Sequence, residues 1–341
     1  MKILLIEWAC SFPMVKGGVD SPLFAEGKAM LMAVMNDLIQ YGHNIVTIIR
    51  DDFSFDDLSV QIHRLSFGKS LISLLKSLAI DCDACVIIAP ECGGILFEMV
   101  RAIEGTSVLN IGCSSTAVAL CADKFQLYKF WCANNVPTPE TWLHIDDVPR
   151  EGEFIIKPLD GAGSQCVRII KDLQCLKKSL IYDDRIKNEK LIIQRLVHGI
   201  TSSISCLVRE NGSIVFMPAC GQIIGYQDGC LSYEGGWSPL LKQFQIRSER
   251  LAKRALNGIR GILGWVGVDL VLGESSDGSD DFAIEINPRL TTSYIGIRQL
   301  IAPSPIPWWI NMEDRPVVLN ETWPKGLQWD KSGKVISLGV I

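Results

Sequence analysis

What the chain lacks narrows the field first. No run approaches the roughly 20 apolar residues that cross a bilayer. The amino-terminal run Ile3-Leu-Leu-Ile6 is cut off by Glu7, too short for a signal-peptide core, and no small-residue cleavage pattern follows it. A soluble cytoplasmic protein with no membrane partner is expected. There is no block of basic residues either. The 33 Lys and Arg against 38 Asp and Glu leave a net charge of −5, which argues against nucleic acid and for small-molecule partners. Neither the G-x-G-x-x-G of a dinucleotide site nor the G-x-x-x-x-G-K-[ST] of a P-loop occurs. The 12 cysteines form no compact framework, and several sit in apolar runs, among them Cys85, Cys206 and Cys220. They read as reduced thiols of a cytosolic protein. A length of 341 residues allows two or three domains and a large core.

What is present begins with an alternation of strands and helices. Ile3–Glu7, Ile45–Ile49 and Ala84–Ala89 read as buried strands. Residues 23–41 read as a helix stopped by Gly42, and Leu71–Leu78 as another. This order predicts a small doubly wound parallel sheet, an α/β domain. Ligands of such sheets lie beyond the carboxyl ends of the strands. Glu91 stands just there, which makes it a candidate on the substrate side; a carboxylate at a helix amino terminus is the plainer reading.

Val136-Pro-Thr-Pro139 marks a linker into a second region. Phe154–Pro158, Val167–Ile170 and Leu191–Gln194 read as strands, and Ser203–Val208 with Ile214–Pro218 as a hairpin over Glu210-Asn-Gly212. A helix is expected over Ser248–Leu263, then paired strands over Val266–Leu272 and Phe282–Asn287. Residues 306–341, rich in Trp and Pro, read as irregular, ending in a hairpin around Asp330–Gly333. Domains are expected at 1–112, 113–300 (divided into about 136–197 and 198–300) and a carboxy-terminal extension at 301–341.

The residues with most chemistry are Ala283-Ile-Glu-Ile-Asn-Pro-Arg-Leu290. Strand side chains alternate, so Glu285 and Asn287 point the same way. A carboxylate and an amide oxygen are hard ligands of the kind Mg²⁺ takes beside phosphate oxygens. Arg289 follows beyond the proline. Asp269 interrupts the apolar Gly267-Val-Asp-Leu-Val271 and is costly to bury unless paired or metal-bound. Lys157 ends a strand ahead of Asp160-Gly-Ala-Gly-Ser164, where Gly161, Gly163 and Ser164 let backbone N–H groups approach phosphate. Asp123-Lys124 opens a helix, for which a cap and a solvated lysine are the default. Gln194, Arg195, Leu196 and Val197 end a strand whose backbone can meet an adenine edge or simply connect two elements. Thr291, Thr292 and Ser293 offer hydroxyls to a substrate or simply start a helix.

In this order these elements resemble the ATP-grasp superfamily over roughly residues 110–295, preceded by what looks like its Rossmann-like pre-ATP-grasp domain. The fold implied is therefore ATP-grasp, α+β in its core. The resemblance gives Lys124, Lys157 and the glycine loop to ATP phosphates, residues 194–197 to adenine, Asp269, Glu285 and Asn287 to two Mg²⁺ (or Mn²⁺) ions, and Arg289 to phosphate and an acyl phosphate. Three positions depart from the common pattern. Gln194 replaces a hinge Glu, Ile200-Thr-Ser202 replaces a ribose-binding Glu, and Asp269 replaces a longer Glu. Leu23-Phe-Ala-Glu-Gly-Lys-Ala-Met-Leu31, Ala89-Pro-Glu91 and Glu285–Gly296 further resemble the tyramine–glutamate ligase family of methanofuran biosynthesis. That implies ATP, L-glutamate and an amine such as tyramine as partners, with Glu26 and Glu91 near the amine, and allows a homodimer. The rival expectations are a ligase for another amino acid or a pterin cofactor, a biotin-dependent or carbamoyl-type carboxylase, and a nucleotide-binding regulator without turnover.

Overall fold

The computed structural model describes residues 1–12, 22–55, 59–161, 167–176, 190–227, 229–302, 304–310, 313, 317–319 and 326–338. The first region is an α/β sheet. Its strands are β1 (Lys2–Glu7), β2 (Asn44–Arg50), β3 (Val60–Leu65), β4 (Ala84–Ile88) and β5 (Leu109–Asn110). Around them lie α1 (Trp8–Ser11), α2 (Pro22–Gln40), α3 (Leu71–Ala79) and α4 (Ile95–Glu104). All strand pairs are parallel and the order is β3-β2-β1-β4-β5. The near-continuous apolar runs of β1 and β4 follow from burial on both faces. Ile3, Leu5, Val86 and Ile88 pack with Leu31, Val34 and Leu38 of α2. Leu4, Ile6, Cys85 and Ile87 pack on the other face with α3 and α4. The order reverses between β1 and β4, and Glu7 stands level with Ile88 at that crevice, the place where such sheets bind ligands. β3 and α4 go beyond what the sequence pattern predicts.

α5 (Ser115–Ala122) and α6 (Lys124–Ala133) lead to a second, antiparallel sheet. Its smaller part comprises β6 (Thr141–Trp142), β7 (Phe154–Pro158), β8 (Val167–Ile170) and β9 (Leu191–Arg195). It encloses its own small core of Val148, Phe154, Ile156, Ile170, Leu176 and Ile193. The larger part comprises β10 (Ile200–Val208), β11 (Ile214–Phe216), β12 (Cys220–Gln227), β13 (Cys230–Ser238), β14 (Gly264–Leu272) and β15 (Phe282–Asn287), with α7 (Lys242–Leu256) packed behind. The two parts join where β8 pairs with β13, among the described residues at Arg168↔Cys230 and Val167↔Leu231. The β10–β11 hairpin and the β14–β15 pair lie where the sequence places them.

The helix expected over Ser248–Leu263 is shifted. It starts six residues earlier, at Lys242, and stops at Leu256. Apolar spacing continues beyond it, but Gly258 and Gly261 take φ of +81° and +75°, conformations that end a helix and suit glycine. Among the described carboxy-terminal residues there are regular elements where the sequence reads as irregular. After α8 (Tyr294–Leu300), α9 (Ile306–Trp309) sets Trp309 against Trp265 with ring centroids 5.6 Å apart. β16 (Leu327–Asp330) then adds to β13 and pairs with β17 (Val335–Ser337). Trp308, Trp309 and Trp329 are buried in the cluster that holds α2.

One cysteine pair, Cys82-Asp-Ala-Cys85, has Cys-x-x-Cys spacing, which the reading of the cysteines as scattered thiols passes over. Both are free, and burial pushes both thiols up, so the spacing marks neither a disulfide nor a reactive thiolate. Among the described residues no helix is long and apolar enough to cross a membrane.

Candidate active site

A cleft of about 360 Å³ opens between the two parts of the antiparallel sheet, within the range of small-molecule sites. One wall is built by register. β14 and β15 pair so that Asp269 faces Glu285 and Gly267 faces Asn287. The Asp269 carboxylate accepts from Asn287 Nδ2 at 3.1 Å and from Gln222 Nε2 at 3.0 Å. Burial, then the negative charge of Glu285, pushes the Asp269 carboxyl up to about 7. Two carboxylates held side by side at this cost are what a divalent cation would relieve. Among the described residues no group of three or more His, Cys, Asp or Glu is gathered for a metal. A cation here would therefore rest on two carboxylates and an amide, completed by phosphate oxygens and water. That donor set fits Mg²⁺, which keeps several waters and usually takes only one or two carboxylates.

The opposite wall supplies positive charge. Asp123 caps α6, its Oδ1 accepting from the Phe125 and Gln126 N–H groups at 3.0 and 2.9 Å. The cap is as expected, but the lysine is not solvated. Lys124 is buried, donates to the Gly161 carbonyl at 2.6 Å and lies 3.2 Å from Glu285 Oε1. Lys157, on the cleft side of β7, is buried and has no hydrogen-bonding or ion-pair partner among the described residues. Burial lowers its ammonium to about 8. A desolvated ammonium without an anion is open to a phosphate oxygen. Gly161 lines the cleft; Gly163 and Ser164 lie outside the described residues.

Residues 194–197 line the same cleft, yet most of their polar groups are taken. Gln194 Nε2 donates to Thr141 Oγ1 at 2.9 Å. The Arg195 and Leu196 N–H groups donate to the Glu140 and Glu153 carbonyls at 2.8 and 2.9 Å. The Arg195 side chain is held by Glu140 and lies over Trp142 and Phe154. The Val197 N–H has no partner among the described residues, which leaves it for a ligand.

Arg289 joins this cleft to the first domain. Its Nε and Nη2 lie 2.9 and 3.0 Å from the Glu91 carboxylate. Glu91 is 4% exposed and makes no cap hydrogen bond to the short turn it precedes, so its carboxylate is spent on Arg289 rather than open to a cation. Thr292 Oγ1 donates to Glu26 Oε1. Ser293 Oγ lies 3.2 Å from Ser205 Oγ and 2.9 Å from Thr291 Oγ1. The run Thr291–Ser293 thus ties the start of α8 to α2 and β10 and does not cap the helix with its side chains. Three participants go beyond the sequence expectations. Gln222 depends on a strand the pattern does not single out. Tyr233, whose hydroxyl accepts from Trp329 Nε1 at 3.3 Å, lines the cleft. Glu7 reads in the sequence only as an interruption, although the strand-end argument that selects Glu91 applies equally to it.

The fold and the cleft define an ATP-binding ligase. The family profile of the ATP-grasp domain matches residues 121–293, and that of a pre-ATP-grasp domain matches residues 44–118; the chain belongs to the ATP-grasp family. It is 28% identical over 303 residues to the tyramine–L-glutamate ligase of Methanocaldococcus fervens, covering 87% of this chain and 89% of that one. The enzyme of that name from Methanocaldococcus jannaschii is 26% identical over 300 residues, covering 87% and 84%. A crystal structure of an ATP-grasp superfamily protein from Archaeoglobus fulgidus superposes with a TM-score of 0.72 at 25% identity, covering 93% of this chain and 90% of that chain.

Proposed function

We propose that the protein joins a carboxylate to an amine at the expense of ATP, through an acyl phosphate. The acid is L-glutamate, acting through its γ-carboxylate, and the amine is tyramine or a close relative, as in the assembly of a methanofuran-type cofactor. The reading draws on the relatives and on one geometric observation: Arg289 stands at the seam between the ATP cleft and the first domain, in bidentate contact with Glu91.

A carboxylate is a poor acyl donor until it is phosphorylated. In this reading, Lys124 and Lys157 hold the phosphates and the Val197 N–H meets the adenine edge. Asp269, Glu285 and Asn287 would hold the Mg²⁺ ions, two by this reading, or Mn²⁺ in their place. Bound there, the ions would neutralise phosphate charge. Arg289 offsets the charge that develops on the transferred phosphoryl group, and Glu91 keeps its plane fixed. Catalysis is then mostly positioning and charge stabilisation. Thr291, Thr292 and Ser293 lie within reach of the acid substrate, and Glu26 faces the amine. The experiment is ADP release over a panel of amines. Release that requires ATP, glutamate and an amine together is expected. No glutamate- and amine-dependent release over a broad panel would overturn the proposal.

A further inference from the structure

A second, smaller cavity of about 40 Å³ opens at the crevice between β1 and β4. Its wall includes Glu7, Trp8, Glu26, Met30, Pro90 and Arg289. Arg289 and Glu26 also line the large cleft, so the two spaces share a wall. A water needs about 10–15 Å³ of such volume. The space therefore suits an ammonium group with its first methylene, with Trp8 and Met30 as apolar walls for the carbon chain.

The charges are unbalanced there. Glu7 is 4% exposed, and neither it nor Glu26 has a cationic partner among the described residues. The guanidinium in the wall, Arg289, is committed to Glu91. Burial pushes the Glu7 carboxyl up to about 7, which is the cost of a desolvated carboxylate without a counter-ion. The fold also makes a seat for it. A Cβ added at Gly27 in α2 would overlap the Glu7 carboxylate. Glu7 has a local task, since its Oε2 accepts from the Cys10 N–H at 2.8 Å and caps α1. A neutral amide oxygen would serve that task equally, so the cap does not account for a charge buried at a ligand crevice.

We propose that this cavity is the subsite for the ammonium group of the acceptor amine, with Glu7 as its principal anion and Glu26 as its second. The proposal rests on the carboxylate–amine ligase reading above. It places the acceptor nitrogen beside Arg289. The ammonium passes a proton to the Glu7 or Glu26 carboxylate, and the freed amine then attacks the acyl carbon as phosphate leaves with the electron pair of the broken C–O bond.

The test uses the full chain with saturating ATP and glutamate, tyramine as the amine, and its neutral isostere 4-hydroxyphenylethanol as a competitor. Hydrogen bonds to a charged group typically translate into about a ten- to hundredfold effect on binding. Glu7→Gln should raise the tyramine KM by that factor and leave the ATP KM within about twofold. It should also shrink the preference for the amine over the alcohol by the same factor. Glu26→Gln, on the rim, should do the same to a smaller degree, and serves if the first variant folds poorly. Turnover by the unmodified enzyme with an unchanged tyramine KM in these variants overturns the subsite alone. Equal increases in the tyramine and ATP KM values do so too. No amine-dependent turnover by the unmodified enzyme overturns the ligase reading itself.

Discussion

Two pairs of carboxylates line the cavities that share Arg289, and they differ in their counter-charges. Asp269 and Glu285 stand with Lys124 and Lys157 across from them and with amide donors on Asp269. Glu7 and Glu26 have no ammonium or guanidinium of their own among the described residues. The first pair sits in a balanced wall that can take phosphate together with the cations phosphate brings. The second is a net anionic pocket, complementary to a ligand that carries the cation itself. Residue type alone does not separate the two roles; charge balance does.

The most damaging way to break the contrast is at the balanced wall. Glu285→Gln removes the charge of a proposed metal ligand and the ion-pair partner of Lys124 in one step. Turnover, followed as ADP release at saturating Mg²⁺, should fall by about 10²–10³-fold, the scale for losing one preorganised electrostatic group. A protein that merely binds nucleotide would instead lose only its Mg²⁺-dependent affinity for ATP, and that result would remove turnover from the wall's role.

At the anionic pocket the largest effect should be on stability. The Glu7 carboxyl titrates near 7 in the fold against 4.5 in the unfolded chain. Between those values the folded state binds more protons, so stability falls as pH rises. The penalty is absent below pH 4.5 and complete above pH 7, where the shift corresponds to about 3 kcal/mol. Glu7→Gln should abolish it. Urea unfolding should find the variant more stable than the parent at pH 8 and equal to it near pH 4.5; a variant less stable at pH 8 would show that the carboxylate is favourably placed.

The contrast also explains what the sequence could reveal. Glu285 and Asn287 are legible because strand alternation is a local rule, and Asp269 because an acid in an apolar run is conspicuous. Their face-to-face register follows from one β14–β15 pair close in sequence. Glu7 is not legible in this way. Its role depends on β1 lying beside β4, some 80 residues away, and on the notch at Gly27 in a third element. Glu91 was visible by position, but its engagement by Arg289, 198 residues on, was not. The burial of Trp308, Trp309 and Trp329 likewise depends on α2 and β13 rather than on neighbouring residues.

Arg289 sharpens the comparison because it lines both cavities. Arg289→Lys keeps the charge and loses the planar fork that grips Glu91. Turnover should drop about 100-fold, within the range for an oriented electrostatic group, with the tyramine KM little changed. Glu91→Gln should lower turnover less and in the same pattern. If Glu91→Gln instead raises the tyramine KM alone, Glu91 belongs to the amine pocket and not to the arginine.

The smallest effect is expected where the balanced wall holds only part of a large ligand. Lys157 is one of several cleft residues proposed to meet the phosphates, and its ammonium is already destabilised by burial. Lys157→Met removes that charge and lifts the desolvation cost together, so the loss in ATP affinity is the difference between them. The ATP KM should rise about tenfold, the scale of one net charge-assisted hydrogen bond, while the tyramine KM stays put. Arginine at the same position, unable to shed its charge, must be buried as a cation whether or not ATP is bound. If Lys157→Arg raises the ATP KM as much as Lys157→Met does, the site requires a compact ammonium rather than simply positive charge, and the balance in this wall is set by shape as well as by sign.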